Sequence, residues 1–289
     1  MSPPRPEVSV VVPVRDGAAE LPGLLASLDA QTLARDRFEV VVVDNASTDS
    51  TSGLARAGGA TVVQEPVPNR SRARNRGVAE ARADLIAFID VDCMAEPGWL
   101  EAMLRCAGSA PLIAGPVRIT TSEPANAVER FEALWRFSQE AWVAQGWAAT
   151  ANLVVEREAF ETVGGLDTDY HHIGEDVDFC LRAGRAGFRL GYCPDAVVTH
   201  PAEARLAPLA RRAFFHGYSG SQVVRRLGVG EHAWRRPGAI VRGRAAMAWI
   251  GLGPDALDPP EWRRMSRLAR LAYASRLAGS LWSGVRRAR

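Results

Sequence analysis

Short apolar runs alternate with helical patterns along residues 1–200 of the chain. Five runs rich in β-branched residues, each bounded by Gly, Pro or polar residues, predict buried strands at 8–14, 39–44, 61–64, 85–90 and 111–117. Between the strands, leucine spacing predicts a helix over 21–28, and a second helix is predicted over 71–83. Continuous apolar strands separated by helices indicate an α/β fold, in which helices cover both faces of a Rossmann-like, mostly parallel sheet.

The pattern becomes more helical in the second half of the chain. We predict one long helix over 127–144, a strand over 152–156, a helix over 175–187 and a strand over 189–193. Beyond His200, apolar residues recur at helical spacing beside arginines, which predicts a helix from 206 and another from 260 onward. The second of these has a predicted apolar stripe of Leu268, Leu271, Ala272, Ser275, Ala278 and Trp282. The pattern therefore predicts an α/β domain over 1–204 and a helical, Arg-rich extension over 205–289.

Composition limits the class of protein. The chain has 289 residues, 47% of them hydrophobic, and a formal net charge of +2, which is typical of a soluble globular protein. No window approaches the roughly 18 consecutive apolar residues of a membrane-spanning helix, and the N-terminus lacks the apolar core of a secretory signal. We therefore expect a cytoplasmic location. The four cysteines form no CxxC pair, which predicts buried thiols in place of a zinc site or disulfides.

The small net charge hides an asymmetry. Residues 1–200 carry 18 Arg against 28 acidic residues, whereas residues 201–289 carry 17 Arg against 5, and the chain has no lysine. The basic tail is expected to meet something anionic: the acidic first domain, which is slightly favoured, a lipid surface at the inner face of the membrane, or a phosphate-bearing substrate. Aromatic residues are sparse among these arginines and no recognised module is present, so no nucleic-acid partner is expected.

The motif FIDVDC, residues 88–93, ends an apolar run in two carboxylates. Ligands of parallel α/β sheets bind at the carboxyl ends of the strands, so Asp90 and Asp92 are expected to face a ligand crevice. Two such carboxylates repel each other unless a cation lies between them. A hard divalent ion, Mn²⁺ or Mg²⁺, uses one or two protein carboxylates together with substrate phosphates. The motif therefore predicts a metal site and a phosphorylated ligand.

Four segments in a fixed order resemble the family 2 glycosyltransferases, which are inverting enzymes of the GT-A fold. The segments are VVPVRDGAAELPGLLASLDAQT, VVVVDNASTDST, SRARNRGVAEARADLIAFIDVDCMAEPGWL and GGLDTDYHHIGEDVDFCLRAGRAGF, and the resemblance covers about residues 7–200. It implies transfer of a sugar from a nucleoside-diphosphate sugar to an acceptor hydroxyl. It also implies a donor half over about 1–118 and an acceptor half over about 119–204.

The resemblance assigns the donor half to nucleotide binding. The base would be clasped by Pro13, Val14, Arg15, Asp44 and Asn45. The Asp44 carboxylate can accept the imide N–H of uracil, which cytosine lacks, so a UDP-sugar is favoured; the alternative is that Asp44 caps the helix that starts near 47–50. Arg74 would lie near the diphosphate, Asp90 and Val91 beside the donor, and Asp92 would ligate the metal, with Asp90 next to it.

The resemblance also supplies a catalytic base. The aspartate of the GED motif, Asp176, would take the proton of the acceptor hydroxyl, and Glu175 would bind the acceptor. The alternative is an acidic first helical turn that interacts with the helix dipole, with Asp178 purely structural. His200 would be the third metal ligand, and the alternative is a packed histidine. His171 and His172 are further candidates for acceptor contact.

The tail is less informative. Arg211, Arg212 and His216 could reach the diphosphate, but an amphipathic helix explains them equally well. The QxxRW pattern of processive synthases is absent, which favours a single sugar addition. Two other classes stay open: a sugar nucleotidyltransferase, whose glycine-rich triphosphate signature is not found, and a non-catalytic nucleotide-binding scaffold, which would need neither Asp176 nor His200.

Overall fold

Seven strands form one sheet in the computed structural model, which describes residues 5–228 and 259–285. Their order is β3-β2-β1-β4-β8-β6-β9, and a smaller sheet has the order β5-β10-β7. In chain order the strands are β1 (Val8–Val14), β2 (Phe38–Asp44), β3 (Thr61–Gln64), β4 (Leu85–Ile89), β5 (Met94–Ala95), β6 (Leu112–Ala114), β7 (Val117–Thr120), β8 (Asn152–Glu156), β9 (Leu190–Tyr192) and β10 (Val198–Pro201).

The large sheet is mostly parallel, as predicted. Strands β1, β2, β3 and β4 pair in parallel, and so do β6 and β9; β8 is antiparallel to both β4 and β6. The carboxyl ends of β1, β2 and β4 therefore lie at one edge of the sheet, where the polar segments after Val14, Asp44 and Ile89 begin.

Helices connect the strands. They are α1 (Leu21–Asp29), α2 (Thr51–Ala57), α3 (Arg70–Glu80), α4 (Trp99–Ala107), α5 (Ala127–Trp135), α6 (Gln139–Val143), α7 (Arg157–Thr162), α8 (Glu175–Arg185), α9 (Leu206–Leu227) and α10 (Pro259–Val285), with a short 3-10 helix at Arg35–Arg37.

Two hydrophobic cores cover the two faces of the sheet, because successive side chains of a strand point to opposite faces. Val10 and Val12 of β1 belong to one core, together with the leucines of α1 and residues of α4. Val11 belongs to the other core, together with residues of α3, α7 and α8. This alternation confirms the prediction of a parallel sheet covered on both faces.

Two predicted elements are wrong in their extent. The long helix predicted over 127–144 is two helices, because the backbone of Arg136 leaves the helical region (ψ −134°) before α6 begins. The strand predicted over 111–117 ends at Ala114, and the chain starts a new strand at Val117. Gly115 and Pro116 separate the two strands, and proline cannot donate a backbone hydrogen bond to a sheet.

The chain divides into two compact units. The first comprises Met1–Arg118, Phe137–His171 and Glu175–His200, and it contains the large sheet. The second comprises Ile119–Arg136, His172–Gly174 and Pro201–Arg289, and it contains α5, α9 and α10. The predicted domain bounds, 1–204 and 205–289, stay a prediction, and the part of the predicted extension over 229–258 lies outside the described residues.

Helices α9 and α10 of the second unit touch backbone to backbone. A Cβ added to Gly217 would lie 1.8 Å from the carbonyl oxygen of Arg276, and one added to Gly279 would lie 1.9 Å from that of Phe214. The buried residues of α10 are Met265, Ser266, Ala269, Ala272, Gly279 and Ser283. The predicted stripe is therefore correct at Ala272 and wrong at Ala278 and Trp282, which are exposed. No helix in the described residues has the length and hydropathy needed to span a membrane.

The cysteines differ from the prediction in one respect. Cys106, in the last turn of α4, and Cys193, which follows β9, form a disulfide with a Cα–Cα distance of 6.1 Å. The expectation of four thiols is therefore wrong for this pair, whose partners lie 87 residues apart in sequence. Cys93 and Cys180 are buried thiols, as predicted.

Helix α3 lies against the sheet through a glycine. Its first turn is capped by Asn69, whose Oδ1 accepts a hydrogen bond from the backbone N–H of Arg72 at 2.9 Å. At Gly77, an added Cβ would lie 2.4 Å from Cγ1 of Val11 and 3.0 Å from Cγ2 of Val43. The absence of a side chain therefore fixes how close α3 lies to the strands, and with it the position of Arg74 three residues earlier.

We predict that Gly77→Ala lowers the free energy of unfolding by about 1–3 kcal/mol, because the new methyl group overpacks a closed core. Urea unfolding followed by circular dichroism measures the effect. Gly53→Ala on α2 is the matched control, since its Cβ would meet nothing within 4 Å and an alanine favours the helix by about 0.5–1 kcal/mol. Equal behaviour of the two variants would show that α3 does not depend on this contact.

Candidate active site

The loops that follow β1 and β2 are held together by hydrogen bonds. The backbone N–H of Asp16 donates to Oγ of Ser47 at 2.9 Å, and Oδ1 of Asp16 accepts from the backbone N–H of Thr48 at 2.7 Å. Asp16 and Ala46 both have positive φ angles, 50° and 60°, which non-glycine residues adopt at a cost of about 1 kcal/mol or more. These hydrogen bonds thus hold the two strand-end loops in one arrangement.

Asp44 lies at the end of β2 and is buried. Its Oδ1 accepts from the backbone N–H of Ser47 at 2.9 Å, and its Oδ2 accepts from the hydroxyl of Ser52 and, at 3.4 Å, from Nε2 of Gln64. Burial disfavours the charge, but the hydrogen bonds from Ser47 and Ser52 outweigh it and hold the pKa of Asp44 below its usual value. Asp44 therefore stabilises the turn before α2, whose N-cap is Ser50.

The other residues predicted to clasp a base lie around Asp44. Asn45 is buried and braces the neighbouring segment: its Nδ2 donates to the carbonyl oxygens of Glu65 and Val67, and its Oδ1 accepts from the N–H of Asn69. Pro13 is half-buried, Val14 is buried and Arg15 is exposed at the end of β1. Val91 is half-buried and packs over Gly17, where an added Cβ would lie 3.3 Å from its Cγ2.

Arg74 binds two carboxylates. Its Nη2 lies 2.7 Å from Oδ1 of Asp90, and its Nη1 lies 3.0 Å from Oε1 of Glu175, while only 3% of its side chain is exposed. Burial alone would lower the pKa of Arg74, but the negative charges of Asp90 and Glu175 raise it. The structure thus joins the FIDVDC motif, the ARNRG motif and the GED motif through one buried guanidinium.

Asp176 lies in the first turn of α8, next to Glu175. Burial, followed by the negative charge of Glu175, raises the pKa of Asp176 to about 7, although a hydrogen bond from the N–H of Val177 and the charge of Arg74 oppose the shift. The side chain is half-buried, so it remains open to solvent on one side. A carboxyl group with these properties can both accept and hold a proton near neutral pH.

Two buried polar atoms of the Arg74 network have no hydrogen-bond partner among the described residues. They are Nε of Arg74 and Oε2 of Glu175. A buried carboxylate oxygen without a donor is costly, by about 1–3 kcal/mol, unless a ligand or water supplies the donor. Oε2 of Glu175 can therefore accept one more hydrogen bond.

Asp92 and His200 form a second polar pair. Oδ2 of Asp92 lies 3.1 Å from Nε2 of His200, and the side chains are 41% and 6% exposed. The ring of His200 also packs 5.5 Å from that of Phe137, so the histidine is both packed and paired. A carboxylate oxygen and an imidazole nitrogen are ordinary ligands of Mn²⁺, so these residues fit a divalent cation. Asp90 faces Arg74 instead, and its place as a metal ligand stays a prediction.

The remaining predicted residues have other surroundings. Asp178 is buried, binds Nε of Arg182 at 2.7 Å and accepts from the hydroxyl of Tyr170 at 3.3 Å, which agrees with a structural role. In the second unit, His172 stacks on Phe215 at 3.7 Å, Arg211 lies over the same ring, and Arg212 binds Glu132. His171 is exposed. Contact of any of these with a substrate stays a prediction.

Three contributors to the site were not predicted from the sequence. Gln64 reaches Asp44 because the parallel register pairs these two residues across β2 and β3. Asp16 locks the two strand-end loops together, and Cys93 places its thiol beside Asp92 and His200. An exposed aspartate followed by glycine is a weak signal for the first loop, but the register of β3 and the position of the thiol require three-dimensional information.

Comparison with known proteins assigns the class. The chain matches the family model for glycosyl transferase family 2 over residues 9–150 and the model for glycosyl transferase family group 2 over residues 133–238. A mannosyltransferase from Pyrobaculum calidifontis in complex with GDP-Man and Mn²⁺ superposes with a TM-score of 0.58 at 21% identity, covering 98% of this chain and 75% of that one. S. aureus TarS in complex with UDP-GlcNAc also superposes with a TM-score of 0.58, at 13% identity, covering 96% of this chain and 92% of that one. The fold is that of the GT-A glycosyltransferases.

Sequence relatives define the family. Pre-mycofactocin glycosyltransferase of Mycobacterium tuberculosis is 33% identical over 93% of this chain, which spans 59% of the length of that relative. Glycosyltransferase AglE of Haloferax volcanii is 30% identical over 75% of this chain and 74% of its own length. The chain belongs to glycosyltransferase family 2, as the four sequence segments predict.

We predict that Arg74→Met destabilises the protein by about 3–5 kcal/mol near pH 8, because it leaves the carboxylates of Asp90, Glu175 and Asp176 without their buried cation. The charge of Arg74 opposes the raised pKa of Asp176, so without Arg74 that pKa rises further and the folded state binds a proton that the unfolded state has released. The loss therefore shrinks as the pH falls toward 5. Denaturant unfolding at both pH values measures it.

The control for this prediction is Arg72→Met on the same helix, where the side chain is exposed. That change should alter the free energy of unfolding by no more than about 0.5 kcal/mol at either pH. A loss in Arg74→Met that is the same at pH 5 and pH 8 would contradict the electrostatic explanation and leave only lost packing.

Proposed function

We propose that this protein is an inverting glycosyltransferase that moves a single sugar from a nucleoside-diphosphate sugar, with UDP as the favoured nucleotide, to an acceptor hydroxyl. The observation that carries the proposal is the convergence on Arg74 of Asp90 from the FIDVDC motif and Glu175 from the GED motif, with Asp176 next to it. Three carboxylates around one buried guanidinium are a costly arrangement that packing of the fold alone does not require.

The nucleotide would lie across the ends of β1 and β2. Asp44 is ionised, and its Oδ2 already accepts from Ser52 and Gln64. Its Oδ1 accepts from the N–H of Ser47 and has a second lone pair, which could accept the imide N–H of uracil. Neighbours of this fold have been captured with GDP-Man and with UDP-GlcNAc, so fold alone does not select the base. The preference for UDP therefore rests on Asp44, with Asn45 and Arg15 beside it.

The diphosphate would lie next to Asp92 and His200, which would hold Mn²⁺ or Mg²⁺ between them. When bound, the cation neutralises negative charge that develops on the leaving diphosphate. Asp90 is held by Arg74 for contact with the donor, and Arg74 lends positive charge to the same region. Asp92 would therefore bind the metal ion, and Asp90 would contact the donor sugar nucleotide.

Asp176 would act as the general base. As the acceptor oxygen attacks the anomeric carbon, the bond to the diphosphate breaks, and the acceptor proton moves to the Asp176 carboxylate. Attack from the face opposite the leaving group inverts the anomeric configuration, and no covalent sugar–protein intermediate is needed. Glu175 would accept a hydrogen bond from a ligand hydroxyl through its unpartnered Oε2.

We predict that Asp176→Asn reduces kcat by about 10²–10⁴-fold, because the amide cannot accept the acceptor proton. Binding of the UDP-sugar with Mn²⁺ should stay within about threefold of wild type, measured by isothermal titration calorimetry, since the proposed donor contacts are untouched. In the wild type, kcat should fall as the pH drops below about 7, following the raised pKa of Asp176.

Thermal unfolding provides an independent check on that variant. Asp176 has a raised pKa when folded, so its charged form destabilises the folded state and stability is lost as the pH rises toward about 7. Asn has no such charge, so Tm of Asp176→Asn should exceed that of wild type at pH 8, by roughly 2–4 °C for each kcal/mol gained, and match it near pH 4. Full turnover in this variant would refute Asp176 as the base.

The location of the protein is part of the proposal. One face of α10 is exposed between residues 263 and 282: it carries Arg263, Arg264, Arg267 and Arg270 in the first half and Ala274, Leu277, Ala278, Leu281 and Trp282 in the second. Leu281 is 71% exposed and Trp282 is 50% exposed. Arginines beside an exposed tryptophan and leucines match an anionic lipid surface, with the apolar half in the headgroup region. We therefore favour peripheral contact with the inner face of the membrane.

We predict that the full chain floats with vesicles of phosphatidylcholine and phosphatidylglycerol at about 0.1 M salt, and less at about 0.5 M, because salt screens the arginine contacts. Replacing Leu281 and Trp282 by Glu should abolish flotation. Val67→Glu, at a residue of the first unit that is 46% exposed, is the matched control. Flotation that is unchanged in the double variant would exclude α10 as the lipid-binding face.

A further inference from the structure

The thiol of Cys93 lies with the pair formed by Asp92 and His200. One ligand atom from each of these residues, a carboxylate oxygen, Sγ and an imidazole nitrogen, lies within 4.8 Å of the other two. Cys93 is fully buried, and its backbone N–H donates to the carbonyl oxygen of Asp90 at 3.0 Å. The turn that follows β4 thus directs two successive side chains, of Asp92 and Cys93, to one place.

The register of the small sheet explains this position. Strands β5 and β10 are antiparallel, and they pair Ala95 with Val198 and Met94 with Thr199. Continuing the same register places His200 opposite Cys93. Residues directly opposite in an antiparallel pair have their Cβ atoms about 4.5–5.5 Å apart on the same face. Proximity of the thiol and the imidazole is therefore a property of the backbone and does not depend on one rotamer.

Cys93 and His200 offer the metal softer ligand atoms than the carboxylate oxygens of Asp90 and Asp92. Carboxylate oxygens suit Mg²⁺ and Mn²⁺, whereas thiolate and imidazole together suit Zn²⁺ and Co²⁺. A metal-bound thiol is deprotonated, and its proton is released to solvent when the ion binds. Phe137, 5.5 Å from the ring of His200, lines one side with an apolar surface.

We infer that Cys93 is a third protein ligand of the metal site, and that this site therefore binds thiophilic divalent ions of the Zn²⁺ and Co²⁺ class more tightly than Mn²⁺. The inference rests on the metal part of the proposed function, since it shares Asp92 and His200 with it. It does not require that sugar transfer occurs.

Titration of the full chain with Co²⁺, followed by absorption spectroscopy, tests the inference. The wild type should develop the near-ultraviolet charge-transfer band of a thiolate bound to Co²⁺. Cys93→Ala and Cys93→Ser should lose this band and yet still bind Co²⁺ through Asp92 and His200, as measured by calorimetry. Zn²⁺ affinity should fall by about tenfold or more in both variants, and Mn²⁺ affinity by about threefold or less.

Cys180→Ala is the matched control. Cys180 is also a buried thiol, but its Sγ lies 3.8 Å from the carbonyl oxygen of Ala148 on another part of the first unit. Burial raises the pKa of its thiol to about 12, so it should not respond to Co²⁺, and the variant should keep the band. Thermal unfolding of each variant without metal shows that it is folded.

The possible outcomes separate the inference from the proposed function. A wild type that binds Co²⁺ without the charge-transfer band, or a band that persists in both Cys93 variants, would overturn the role of Cys93 and leave the Asp92–His200 site intact. A wild type that binds neither Co²⁺ nor Mn²⁺ would overturn both the thiol ligand and the metal site. Loss of the band in Cys180→Ala alone would show that the thiol ligand is Cys180 on α8 and would overturn the role of Cys93.

Discussion

The structure depends on one buried cation. Arg74 is 3% exposed and is held between Asp90 and Glu175 at hydrogen-bond distances. A guanidinium removed from water in this way is stable only when its partners are ionised and correctly placed, and each carboxylate needs the guanidinium in turn. Three segments far apart in sequence are therefore mutually dependent, and the position of Asp176 follows from that of its neighbour Glu175.

The Asn69 cap and Gly77 of α3 set the position of Arg74. The Asn69 cap fixes where the helix begins, and its Nδ2 also donates to the carbonyl oxygen of Thr168, which ties the segment before α8 to α3. Gly77 lets the same helix lie against β1 and β2. An ordinary capping residue and an ordinary packing glycine therefore set the geometry of the charged cluster, although neither of them belongs to it.

The local parts of this arrangement can be predicted from the sequence. Strand alternation, the helical spacing of the leucines and the strand-end aspartates are all properties of short windows, and the structure has the predicted sheet. The break at Arg136, the Cys106–Cys193 disulfide and the backbone contact at Gly217 depend on packing between distant segments. Arg74 and Glu175 are also far apart in sequence. The order of the family motifs indicates that both segments belong to one site, but it does not predict their pairing.

The two aspartates of FIDVDC have different electrostatic partners, which explains how one strand end tolerates both. Asp90 is compensated by the permanent charge of Arg74. Oδ2 of Asp92 lies 3.1 Å from Nε2 of His200, and the Asp92 side chain is more exposed than that of Asp90. A guanidinium therefore stabilises Asp90 in the folded protein, whereas Asp92 lies beside an imidazole. The strand end is therefore partly neutralised by the protein, and Asp92 is the carboxylate that can still gain stability from an external cation.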